Sequence, residues 1–372
     1  MGHAFREGAD SMPHCIRRTL SAVLMLFFHA GAHAAGEEVK SPEFQLFIEN
    51  DTWTGTDRHY TSGLKFGFGA TTERVSPLLR FIRWLKDCET DSTAGEYCGS
   101  PHVGIFVGQN MYTPRSITTA APQPADRPWA AWLYLGAAAQ YVTGRSMTTA
   151  ELDIGVVGPT AFGKEVQTAW HALPFINAPA PQGWDNQLPH EAGFILSFLR
   201  KNRYGNGPLQ VIPHAGFSLG TIITHARAGG MVRIGKNMTG FGPDSIEPGG
   251  SALQNTPHAS ETERRRGFEI YGFIGADARY VVRNVFLDGT LFRDSPNVDR
   301  HNFVYDLSRG ISARCGPFRF ALTRVSRSEE FTTPFGGGGT QDFSSINIGL
   351  ELQEDDRTWA ARFRSCPESF RR

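Results

Sequence analysis

The chain has 372 residues, and its 37 Lys and Arg balance 37 Asp and Glu, so nothing in its charge points to a nucleic-acid partner. With 41 Gly, 27 Phe and only 20% charged residues, the composition favours a β-rich protein with many turns and aromatic faces. Beyond the N-terminal leader no apolar run reaches the ~20 residues that a membrane-spanning helix needs. The richest, residues 129–142, is interrupted by Gly136 and Gln140. A soluble exported protein and an outer-membrane β-barrel are both compatible with that pattern.

Residues 1–34 read as a secretory signal peptide. Arg17 and Arg18 precede an apolar core from Leu20 to Phe28, and Ala32-His33-Ala34 is a small-x-small cleavage signal. Met12 as the start would give a leader of more ordinary length. The mature chain is then expected to begin near Ala35 and to be exported. Four cysteines remain in it: Cys88, Cys98, Cys315 and Cys366. An even count in an oxidising compartment permits two disulfides. Cys88 and Cys98 enclose a short polar loop and are expected to pair locally, whereas nothing fixes the distance between Cys315 and Cys366. No CxxC or closely spaced His pair suggests a zinc site.

The first strand alternates Phe44, Leu46 and Ile48 on one face with Gln45 and Glu49 on the other. It runs into Asn50-Asp51, crosses a short loop containing Gly55, and returns as Tyr60-Thr61-Ser62-Gly63 into a second alternating strand. An amide, a carboxylate and two hydroxyls at neighbouring strand ends are the hard oxygen donors a calcium or polar-substrate site needs. Asn and Asp are also ordinary turn residues. Period-2 segments recur at 60–70, 151–156 and 345–352, and near 102–110, 303–311 and 317–323. About thirteen candidate strands result, and since a bacterial barrel requires an even number, at least one of these assignments is wrong if the chain is a barrel. Lys65, Glu151, Asp153, Arg319 and Glu351 on the polar faces suit a wet lumen or a solvated surface, so alternation alone leaves barrel and soluble sandwich level. Long connections fall at 71–101, 236–266 and 328–341, without repeats or a linker. Residues 35–352 form one expected domain, followed by a C-terminal extension, 353–372, to which the sequence assigns no structure.

One connection, 158–190, carries a helix. Gly158-Pro159 ends a strand, Thr160 is the expected N-cap, and FGKEVQTAWHAL follows. Val166, Trp170 and Leu173 lie at i, i+4 and i+7, an apolar stripe expected to pack on the wall. Gln167 and His171 sit four apart beside that stripe and would present an imidazole at the seam. Glu165 reaches the same place only if the helix tilts. A lone helix histidine is more often a surface or packing residue. Elsewhere, Gly216-Phe217-Ser218-Leu219-Gly220 fits the G-x-S-x-G nucleophile pattern. The β-branched run that follows opposes the helix such an elbow needs.

Several motifs occur in order: Asn50-Asp51, D-R-x-Y-T-x-G at 57–63, Q-N-x-Y-T-P at 109–114, D-I-G-V-V-G-P at 153–159 and G-x-E-V-Q-x-x-x-H at 163–171. Together they resemble the lipid A 3′-O-deacylase (LpxR-type) family of outer-membrane enzymes, from about Phe44 to Leu352. The resemblance implies an all-β, antiparallel transmembrane β-barrel of about twelve strands with a short helix in an extracellular loop. It implies a site between wall and helix near the outer leaflet, Ca²⁺ as cofactor, and lipid A of lipopolysaccharide as substrate, losing its 3′-linked acyloxyacyl group. Asn50, Asp51, Thr61 and His171 match the functional positions by motif, and Gln167 and Glu165 fall in the same helical motif. The mechanism expected is ester hydrolysis in which Asp51, with Asn50 and Thr61, holds calcium against the carbonyl and His171 takes a proton from water.

Two departures from the family pattern stand out. A lysine expected after Y-T-P has no counterpart, Arg115 being the nearest cation. The chain also ends in Arg-Arg, with Phe370 short of the terminus where barrels usually close on an aromatic. The alternatives are an outer-membrane phospholipase using Ser218 or Ser62 as nucleophile, and a non-enzymatic porin or structural barrel. The sequence leaves acyl-chain specificity and oligomeric state open.

Overall fold

The computed structural model describes residues 40–55, 58–71, 102–143, 145–174, 176, 178–250, 253, 268–334 and 336–351. The expected signal peptide, the Cys88–Cys98 pair, Cys366 and the extension 353–372 lie outside these residues.

Twelve long strands form the wall: β1 (Lys40–Asn50), β2 (His59–Thr71), β3 (His102–Thr113), β4 (Ala130–Thr143), β5 (Ser146–Val157), β6 (Glu191–Asn202), β7 (Leu209–Gly220), β8 (Ile223–Lys236), β9 (Phe268–Asn284), β11 (Phe303–Cys315), β12 (Phe318–Arg327) and β15 (Gln341–Glu351). Three short strands, β10 (Asp299–Arg300), β13 (Phe331–Thr333) and β14 (Gly336–Gly337), form a separate small sheet at one rim. All wall pairings given by the register are antiparallel between neighbours, and β1 closes on β15 from Glu43↔Glu351 to Asn50↔Ser344. The closed barrel leaves no wall strand with an unpaired edge. Cys315, at the end of β11, is disulfide-bonded.

Burial decides between sandwich and barrel. A sandwich would bury the apolar faces, but here Leu135, Ile154, Ile234 and Ile274 are 59–64% exposed on the outside. Their alternating neighbours Glu151, Asp153, Arg233, Glu269 and Lys65 are buried. Apolar-out and polar-in alternation on strands of 10 to 17 residues is the arrangement of a transmembrane barrel.

The lumen is filled from both mouths. At the rim where β1 ends, helix α2 (Val285–Asp288) buries Val285, Phe286 and Leu287, and Phe286 stacks on Tyr112 at 4.1 Å. From the opposite rim, residues 237–250 leave β8 and climb inside the wall. Arg233 donates to the carbonyls of Thr239 and Gly240 at 2.9 Å each. Asp244 pairs with Lys201 and Arg227 at 3.3 and 3.2 Å. Glu247 is ion-paired with Arg279 at 3.1 Å and with Arg327. Left-handed backbone at Gly240, Gly242 and Gly249 allows the turns such a narrow space demands. The connection 236–266, Gly/Pro-rich and polar in sequence, thus lies in its described part within the lumen.

Candidate active site

The first group of site residues comes from the β1–β2 hairpin. A 3₁₀ turn at Thr52–Thr54 closes it, with Gly55 in left-handed backbone. The Asn50 side-chain carbonyl accepts from the Thr52 N–H at 2.8 Å, and Asp51 Oδ2 accepts from the Arg58 N–H at 2.6 Å. The Asp51 N–H donates to the Thr61 carbonyl at 3.3 Å. Thr61 is the extra residue of a β-bulge, the pairing of β2 with β3 jumping from Tyr60↔Tyr112 to Ser62↔Met111. A bulge re-aims side chains, and both Tyr60 and Thr61 are buried as a result. Thr61 Oγ1 meets Thr113 Oγ1 at 2.6 Å. Asn50, Asp51, Thr61 and Thr113 are all nearly or fully buried, Asp51 being 0% exposed.

The second group lies on helix α1 (Gly163–His171). Thr160 does not cap it: that residue belongs to a 3₁₀ turn, Pro159–Ala161, and meets His190 Nδ1 at 3.0 Å. The N-cap is Phe162 in left-handed backbone, with no side-chain cap. The buried face is also not the apolar stripe expected. Gly163, Gln167 and His171 are buried, Val166, Trp170 and Leu173 are half-buried, and Glu165 is exposed. The reason is volume. A Cβ on Gly163 would come within 2.4 Å of Trp184 Cη2 and 2.7 Å of Ala131 Cβ, so only a glycine lets the helix approach the wall this closely. Gln167 and His171 follow at one-turn intervals and are carried inward with it. Val166 packs at the edge of that seam, beside Met111, Trp129, Ala131 and Trp184. Glu165, which needed a tilted helix, does not join the buried face.

Hydrogen bonds fasten this loop to the wall and to the connection between β3 and β4. Gln109 Nε2 donates to the Ala161 carbonyl at 2.5 Å, the Gly158 N–H to the Ala131 carbonyl at 3.2 Å, and the Gln182 N–H to the Ile117 carbonyl at 2.8 Å. Trp184 Nε1–H donates to Gln167 Oε1 at 2.8 Å. His171 Nδ1 lies 2.6 Å from the Pro179 carbonyl. A carbonyl only accepts, so Nδ1 carries the proton and the neutral ring keeps its basic lone pair on Nε2. On the solvent side Lys164 donates to Asp185 at 2.8 Å, an exposed contact that raises the lysine pKa.

The two groups share one rim. Strand β3 links them: Thr113 ends it beside Thr61, and Gln109 lower on the same strand holds the turn before α1. Sequence reasoning passed over Gln109 and Thr113, although both stand in the Q-N-x-Y-T-P motif. It also missed Arg127, fully buried, which pairs with Glu330 at 3.2 Å and lies over the Tyr112 ring at 4.7 Å. Arg115 is exposed, its backbone N–H bonded to Asp126. Ser218, in the G-x-S-x-G run, lies wholly within β7 and meets Ser197 Oγ at 2.9 Å inside the lumen.

The donor set Asp51, Asn50 and Thr61 is carboxylate, amide and hydroxyl oxygen, which fits a hard cation such as Ca²⁺ rather than zinc. Among the described residues no three His, Cys, Asp or Glu side chains cluster as a metal site. A cation at this hairpin would therefore rest on a single carboxylate, with neutral oxygens completing its shell.

Fold and site together define an outer-membrane-type barrel with a buried polar site at one rim, beneath a helix clamped to the wall. The model of the LpxR outer membrane protein family matches residues 20–352, and the chain belongs to that family. No curated protein sequence matches it. Among solved structures, LpxR from Salmonella typhimurium is similar in fold, with a TM-score of 0.64 at 20% identity over 83% of this chain and 100% of that one. The β domain of the Bordetella autotransporter BrkA covers 85% of this chain and 100% of its own, at 11% identity and a TM-score of 0.41, a likeness too slight to bear on function. The protein is accordingly an outer-membrane β-barrel.

Proposed function

We propose that this barrel is a lipid A deacylase of the outer membrane, hydrolysing the ester that links the 3′ acyloxyacyl group. The observation that carries the reading is the inverted face of α1. A helix that turns Gln167 and His171 to the wall while leaving Val166 and Trp170 half-exposed forgoes apolar burial, and it places a tautomerically fixed imidazole in the seam. Lipid A lies in the outer leaflet beside this rim, which is where an esterase built between wall and loop helix meets it.

In the reaction, His171 Nε2 takes a proton from water as the water oxygen bonds to the ester carbonyl carbon. The tetrahedral adduct then expels the sugar oxygen, which leaves with the proton from the imidazolium, so the base is regenerated. The Pro179 carbonyl holds Nδ1–H throughout and orients the ring. Gln167, through Trp184, fixes the helix turn that precedes His171. Asp51, assisted by Asn50 and Thr61, would hold Ca²⁺, which when bound supplies positive charge for the carbonyl oxygen. Water enters from the rim, since the lumen is occupied by residues 237–250; that filling also weighs against an open porin. The serine alternative loses ground because Ser218 sits on a lumenal strand and not at an exposed elbow.

Mass spectrometry of lipid A from a Gram-negative host expressing the chain tests this, with His171→Ala beside it. Loss of one acyloxyacyl mass in the wild type alone supports the reaction and the base together. An unchanged spectrum from folded wild type with calcium supplied refutes the substrate. Retained activity in the variant removes His171.

A further inference from the structure

The segment 237–250 enters the barrel from the mouth opposite the site, yet its tip ends directly beneath it. Ser245 Oγ donates to Glu49 Oε2 at 3.0 Å, and the Ile246 N–H donates to Glu49 Oε1 at 3.2 Å. Glu49 is the residue before Asn50. Its Oε2 also accepts from Tyr60 Oη at 2.7 Å, and Tyr60 is the residue before Thr61. Asn110 Nδ2 donates to Tyr60 Oη at 2.9 Å and to the Ile246 carbonyl at 3.4 Å, drawing in β3. One buried carboxylate therefore ties the end of β1 and the start of β2 to each other and to the lumenal loop.

The tip is itself locked in place. Glu247 is held by Arg279 of β9 and Arg327 of β12, and these share Asp306 of β11 at 2.8 Å each. The Gly250 N–H closes a turn onto the Glu247 carbonyl at 2.8 Å. Gly249 passes so close to β7 and β8 that a Cβ there would stand 2.5 Å from His225 Cε1 and 2.8 Å from Ser218 Oγ. Contacts of this kind on β1, β2, β3, β9 and β12 exceed what filling a lumen requires. Water or small side chains from the wall would fill the same volume.

We infer that Ser245 and Ile246 are positioning residues for the rim site: through Glu49 and Tyr60 they set the backbone from which Asn50, Asp51 and Thr61 project. The site on the outer face is thereby braced by a loop that belongs to the opposite mouth. This rests on the reading of Asn50, Asp51 and Thr61 as site residues, but the geometry it claims is measurable without any turnover.

The test uses the full chain folded in detergent, as wild type, Ser245→Ala, the conservative Ser245→Thr, and Ile246→Pro, which removes the N–H donor. Hydrogen exchange is followed in the segment 47–63 by mass spectrometry, and turnover on lipid A is followed in parallel. Loss of a hydrogen bond to a buried carboxylate is expected to speed exchange there about tenfold in Ser245→Ala, with Ser245→Thr restoring protection. The same loss in Ile246→Pro supports the inference, while exchange in β7 stays as in the wild type. The kcat should fall several-fold with KM unchanged, and recover in Ser245→Thr. Unaltered exchange of 47–63 in both Ser245→Ala and Ile246→Pro overturns the inference. So does faster exchange spread equally over β7, which marks general destabilisation. If the wild type proves inactive on lipid A, the proposed substrate fails, and the exchange data still decide whether the tip braces the hairpin.

Discussion

The rim where β1 ends carries two short helices that bury opposite kinds of surface. Helix α2 is built for stability: the Asn284 side chain caps it by accepting from the Phe286 N–H at 3.0 Å, and Val285 and Phe286 go into the core with Tyr60, Tyr112 and Val325, Leu287 being buried beside them in the chain. Helix α1 has no side-chain cap, starts from a left-handed Phe162, and buries Gln167 and His171. Hydrogen bonds of its loop compensate for what the helix itself lacks, among them Gln109–Ala161, Gly158–Ala131 and Trp184–Gln167. Uncapped and polar toward the wall, α1 is stabilised by its surroundings and not by its own sequence. That is the pattern of a functional element held in a rigid frame.

Substitutions can break this contrast. The largest effect is expected at His171: His171→Ala should lower turnover by about 10²–10⁴-fold, the usual contribution of general-base catalysis, with the barrel still heat-modifiable on gels. On the other helix, Phe286→Ala should cost about 3–5 kcal/mol of stability, seen as a lowered unfolding midpoint, while turnover per folded molecule holds. If Phe286→Ala instead abolished turnover without unfolding, the division of labour between the helices would be wrong. Trp184→Phe removes the donor to Gln167 Oε1 and should cost about 1 kcal/mol locally, lowering kcat several-fold. Glu165→Gln, on the exposed face, should leave both stability and turnover within error of the wild type. A large effect of Glu165→Gln would restore the tilted-helix reading.

How far the sequence reached follows from what each signal encodes. Alternation in Glu151, Leu152, Asp153 and Ile154 located the strand but not which face looks inward, because the pattern has the same period in a sandwich and in a barrel. Exposure of Ile154 and burial of Asp153 settle it. The wall has twelve strands, one fewer than the periodicity suggests, and the connection 328–341 holds the short β13 and β14, which with β10 lie outside the wall and are too short to alternate legibly. Motif resemblance named Asn50, Asp51, Thr61, Gln167, His171 and Glu165; the structure buries the first five and leaves Glu165 exposed. The buried face of α1 was illegible to hydropathy, which ranks Val166 and Trp170 above Gly163, whereas close packing ranks by volume. The bulge at Thr61 adds a single residue and leaves no trace in composition. Residues 237–250 stood out only as part of a long connection, because Gly, Pro and acidic residues suit a charged lumen as well as they suit water.

The most direct test is the fate of lipid A incubated with the purified, folded barrel and calcium, with the mass lost and its position on the sugar read by tandem mass spectrometry. The account predicts release of the 3′ acyloxyacyl group by the wild type and by Glu165→Gln, and none by His171→Ala. Full turnover in His171→Ala, or no release by folded wild type, would contradict it.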